Sequence, residues 1–113
     1  MKQASLPDVL AGLSVSPDPF TVALLEGVDA DSARIDELVS SAAVGWEIDR
    51  MPVVDRTILR LATWELMMRP DVPVAVVIDE AVELAKQYST EQSGGFVNGV
   101  LSTIAAQVRP SEA

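Results

Sequence analysis

Apolar residues recur along this chain at three- and four-residue intervals, and the alternating pattern of a half-buried strand is absent. Gly and Pro clusters at 12–19, 45–52, 70–73 and 89–95 divide the pattern into segments. Residues 6–13 predict a short leading helix. Asp18 and Pro19 form a helix start, with Asp18 as cap and Pro19 in the first helical position. Phe20, Ala23, Leu24, Val28, Ile35, Leu38, Val39 and Ala42 then share one stripe, which predicts a helix over about 19–43, bent near Asp29. Pro52 opens the next helix, with Val54, Ile58, Leu61, Ala62 and Leu66 on one face. Residues 72–78 are β-branched enough to pass for a strand, but the Ala-Val-Glu-Leu-Ala-Lys run behind them predicts a helix entered through Pro73. Ser93 is the expected cap of a last helix whose apolar face is Phe96, Val97, Val100, Leu101, Ile104, Ala105 and Val108. Four substantial helices on short loops predict a single all-α helical bundle spanning residues 1–113.

Composition narrows what such a bundle does. The 113 residues include 17 acidic and 8 basic side chains, for a net charge of -9, which disfavours unaided binding of phosphate backbones. Cys and His are both absent, so disulfides, Cys/His zinc sites, Cys nucleophiles and His-based acid–base catalysis are excluded. No catalytic residue, metal site or cofactor is expected. A Cys-free chain fits a reducing compartment and a cytoplasmic location, and neither a membrane span nor a signal peptide is readable. Apolar residues make up 49% of the chain. A filled core accounts for that surplus, as does a surface that a partner or another helix covers.

Several side chains stand out. Asp79, Glu80 and Glu83 read as a solvated helix face rather than a metal site, because no His or further helix completes a ligand set. Gly99 in a helix interior costs about 1 kcal/mol relative to Ala, so it predicts a tight helix crossing with Asn98 bonding into the core; a ligand-binding Asn98 is the alternative. Arg60, between Leu59 and Leu61, is expected to pair with Glu80 or Glu83. Phe96, after Gly94 and Gly95, is either a core ring or a rim ring on which a base stacks.

The runs Asp55-Arg56-Thr57-Ile58-Leu59-Arg60-Leu61-Ala62, Asp71-Val72-Pro73, Asp79-Glu80-Ala81-Val82-Glu83-Leu84-Ala85-Lys86 and Phe96-Val97-Asn98-Gly99-Val100-Leu101 resemble the NusB family of bacterial transcription antitermination factors. Ile35-Asp36-Glu37-Leu38 and Gly45-Trp46-Glu47-Ile48-Asp49-Arg50 are similar to it as well, and the resemblance covers about 19–108 in an actinobacterial style. It implies two packed helical subdomains without enzymatic activity. It also implies pairing with the ribosomal protein NusE, binding of boxA RNA in ribosomal RNA leader transcripts, and joining of the RNA polymerase elongation complex. Carried over by position, Arg56, Gln92 and Phe96 are RNA-binding candidates and Asp49, Asp55 and Trp64 partner-binding candidates. Arg60, Asn98 and Gly99 match motif positions with a structural role. Family members begin with an Arg-rich arm and an aromatic first helix. Residues 1–13 resemble the stretch after that helix, so an uncovered apolar groove and weakened RNA binding are expected. Two alternatives share the fold: a helical protein-interaction module that has lost RNA binding, and a relative of the NusB-like domain of RNA cytosine methyltransferases. The second would need a Gly-rich cofactor loop and a Cys nucleophile, and neither is present.

Overall fold

A computed structural model describes residues 30–112 of the chain. The leading helix over 6–13 and the Asp18–Pro19 start lie outside the described residues, as does the first part of the helix over 19–43. Within the described residues there are four α-helices and one short 3₁₀ turn: α1 (Ser32–Ala42), the turn (Ile48–Arg50), α2 (Val53–Met68), α3 (Val74–Tyr88) and α4 (Ser93–Val108). No strand occurs among them, so the β-branched stretch at 72–78 is helical from Val74 onward.

Each helix buries the stripe its sequence encodes. Ile35 and Val39, one turn apart, anchor α1. Ile58, Leu59, Ala62 and Leu66 are buried on α2, and Val77, Ala81 and Ala85 on α3. Val97, Val100, Leu101, Ile104 and Ala105 are buried on α4, which packs against all three other helices and forms the centre of the core. Pro52 and Pro73 occupy the positions just before α2 and α3, where a missing N–H costs nothing and fixes the entry angle. Gly45 ends the turn after α1 with φ of 86°, a left-handed conformation that favours Gly.

Two polar devices fix the helices to each other. Arg60 donates from Nε to Asp36 Oδ1 at 2.7 Å and from Nη2 to Asp36 Oδ2 at 2.8 Å, a bidentate pair joining α2 to α1. The expected partners Glu80 and Glu83 are instead exposed on α3, because Arg60 lies on the flank of α2 that meets α1. Arg109, 8% exposed just past α4, reaches back to the far end of α2. It donates to the carbonyls of Leu66 at 2.9 Å, Glu65 at 3.0 Å and Arg69 at 2.6 Å, and to that of Val72. The last carbonyls of a helix lack partners inside it, and Arg109 supplies one for Leu66 and a second for Glu65, whose carbonyl also accepts the Arg69 amide at 2.9 Å. Glu112 completes the clamp, 3.3 Å from Arg109 Nη1 and accepting the Val74 amide at 3.0 Å.

Two expectations are corrected. Asn98 and Gly99 are exposed, and apart from the adjoining helix backbone no described atom lies within 4 Å of where a Gly99 side chain would begin. The helical rotation that sends Val97, Val100 and Leu101 inward sends these two outward, and Asn98 Oδ1 accepts a hydrogen bond from the Ser102 hydroxyl at 3.4 Å. The close approach occurs at Gly94, where an added Cβ would sit 3.2 Å from Lys86 Cγ on α3. Ser93 does not cap α4 either: it is the first helical residue, and its hydroxyl turns inward to Asp55.

Candidate nucleic-acid interface

The turn between α1 and α2 and the loop between α3 and α4 meet at one end of the bundle. Gly45 swings the chain so that Trp46 stands 53% exposed. Phe96, in the first turn of α4, approaches it with ring centroids 5.7 Å apart and planes tilted by 58°. The two rings form a wall of an open cleft of about 520 Å³, completed by Arg50, Pro52, Thr90 and Gln92. Phe96 is therefore a half-buried rim residue, with one side against the core and one toward the cleft.

The floor is polar and closed. Asp55, 3% exposed in the first turn of α2, receives hydrogen bonds from the Ser89 hydroxyl and, at 2.8 Å, from the Ser93 hydroxyl. Thr90 adds a hydroxyl contact to Ser93 Oγ at 2.9 Å and its amide at 3.3 Å. Asp55 is thus corrected from a partner contact to an internal anchor, since its carboxylate oxygens are occupied and covered. Position 55 is also where a helix N-terminus favours a carboxylate.

The other candidates separate. Gln92 is exposed and lines the cleft beside Phe96. Arg56, half-buried on α2, does not line it; the cationic wall is Arg50 from the 3₁₀ turn, loosely paired with Glu47 at 3.7 Å. Asp49 is exposed and belongs to a neighbouring groove of about 590 Å³ on the other side of Trp46, which Glu47 also lines. Trp64 packs against the core farther along α2, its indole N–H buried and without a hydrogen-bond partner among the described residues. Sequence reasoning missed Trp46 and Arg50 as site residues. The signal was present in Gly45 directly before Trp46, a turn residue that leaves a large aromatic ring outside every apolar helical stripe.

Rings that stack, an amide that reads an edge and a guanidinium that meets a phosphate suit an unpaired nucleotide. Among the described residues, no group of three His, Cys, Asp or Glu could hold a metal ion, and no helix is long and apolar enough to cross a membrane. The NusB family profile matches residues 2–106. The chain belongs to the NusB family. It is 48% identical over 108 residues to the transcription antitermination protein NusB of Frankia casuarinae, covering 92% of this chain and 80% of that one. It is 54% identical over 92 residues to the protein of the same name from Streptomyces avermitilis, covering 81% and 63%. Among solved structures, T. maritima NusB superposes with a TM-score of 0.77 at 46% identity, covering 81% of this chain and 65% of that one. The chain therefore spans somewhat less than two thirds of the latter two relatives. As a NusB-family chain it is a non-enzymatic, all-α protein.

Proposed function

We propose that this chain is a transcription antitermination factor that works in the cytoplasm. It binds boxA-type RNA together with ribosomal protein NusE and joins the RNA polymerase elongation complex. The observation that supports RNA contact is the Trp46–Phe96 cleft with Gln92 and Arg50 on its rim, in a chain whose relatives are named for antitermination. A base stacked on Phe96 would present its edge to Gln92 and its phosphate to Arg50. The partner explains how an acidic chain holds RNA. At a net charge of -9 the chain repels phosphate, and a basic partner supplies the cationic contacts. Asp49, exposed beside the cleft, and Trp64 on α2 are the residues proposed to face that partner.

Fluorescence anisotropy with labelled boxA RNA and a scrambled strand, against the chain, NusE and their mixture, tests the reading. The chain alone should not discriminate between the strands at near-physiological salt, and the mixture should prefer boxA. Phe96→Ala should weaken RNA binding by the mixture about tenfold, the lower part of the range for one stacked base. Equal binding of both strands by the mixture would remove the RNA role. NusE binding without RNA discrimination would instead identify a protein-interaction module, the reading that the net charge favours.

A further inference from the structure

Resting on that RNA reading, we propose that Asp55 is a positioning residue for the cleft, holding the α3–α4 loop in the shape that aims Phe96 and Gln92 at the nucleotide. The loop has no regular structure of its own, and α4 lacks a side-chain cap at its start. Its order comes from Asp55. One carboxylate oxygen takes the Ser89 hydroxyl at the end of α3; the other takes the Ser93 hydroxyl at the start of α4. One buried charge from α2 therefore grips both ends of the loop, with Thr90 bonded to Ser93 between them.

The chain from anchor to rim is short. Ser93 lies one helical turn before Phe96, whose amide donates to the Gln92 carbonyl at 3.2 Å. Releasing Ser93 frees the first turn of α4, and with it the ring that faces Trp46. Hydrogen bonds to a charged acceptor are stronger than neutral ones, so the geometry needs the carboxylate and not merely its shape. Asp55 itself never touches the nucleotide, because it is buried beneath the cleft.

The test uses Asp55→Asn, which keeps the shape, with Asp55→Ala as the stronger variant and Ser93→Ala as the partner deletion. NusE affinity and boxA affinity are measured in the otherwise native sequence. In a parallel set carrying Trp64→Phe, Trp46 is the only tryptophan, and its acrylamide quenching reports the shape of the cleft without RNA. Asp55→Asn and Ser93→Ala should each weaken boxA binding by the NusE mixture about fivefold to tenfold, the equivalent of roughly one ordinary hydrogen bond. Trp46 quenching should rise, and NusE affinity should stay within about twofold of wild type. Loss of NusE affinity with unchanged quenching would make Asp55 a partner contact and overturn the proposal. A lower melting temperature with unchanged quenching and RNA affinity would make it an ordinary core group, and would overturn it equally. If Asp55→Ala does not fold, Asp55→Asn and Ser93→Ala decide. If the wild-type mixture shows no boxA preference, the RNA reading fails, and Trp46 quenching alone decides whether Asp55 shapes the cleft.

Discussion

Single residues carry more than one message, and neighbours settle which one applies. Gly99 and Gly94 look alike in sequence, yet Gly99 faces solvent and Gly94 faces Lys86 at 3.2 Å from its absent Cβ. Gly99→Ala should therefore stabilise the protein by about 0.5–1 kcal/mol in urea melts, through helix propensity and a restricted unfolded chain. Gly94→Ala should gain less, because Lys86 must shift to admit the methyl group. If Gly99→Ala destabilises instead, the outer face of α4 is covered. Glu65 is a second case. Burial, and after it the charge of Glu80, push its carboxyl above the usual range, against the pull of Arg69 and Arg109. The folded state then binds the proton more tightly than the unfolded state. Stability falls as pH rises from the unfolded value toward the raised folded one, and the penalty is complete above it. Glu65→Gln should raise the thermal midpoint at neutral pH, and the gain should vanish below about pH 4, where both states are protonated. A gain that persists in acid would point to packing rather than charge.

At the scale of elements, the sequence located α2, α3 and α4, because each has an apolar stripe beside a Pro or Gly break, whereas one helix read over 19–43 missed the break at Asp31 before α1. It did not reveal how the helices are tied. Periodicity says which face of α2 is apolar but not which neighbour its flank meets, so Arg60 was assigned to α3 and pairs with Asp36 of α1. The aromatic cleft escaped for the same reason: Trp46 and Phe96 are far apart in the chain, and only the folded loops bring them together. The burial of Asp55 was not legible in the sequence, because the serines that cover it lie on other elements. The Arg109 clamp was unreadable from spacing. A guanidinium fork can serve several carbonyls at once where an ammonium cannot, so Arg109→Lys should cost about 2 kcal/mol in urea melts despite the retained charge. A loss of only a few tenths would mean that water replaces the fork at the end of α2.

For the whole molecule, the proposed function makes an acidic chain with an aromatic cleft one half of an RNA-binding surface, and salt is the variable that tests the division of labour. The salt slope of RNA binding should track the partner's cationic contacts, while stacking on Phe96 contributes a part that salt hardly changes. The Arg109 clamp sets a different kind of limit, one of timing. It joins positions 37 to 44 residues apart, and position 109 is made only after all four helices have been. Because synthesis runs from the N-terminus, α2 and α3 emerge before the guanidinium that ties the corner between them. A ribosome that stalls before position 109 leaves a chain with α1 to α4 and no latch, loose at the corner where a protease needs slack backbone. Arg109 thus marks the moment at which this corner of the nascent bundle can close.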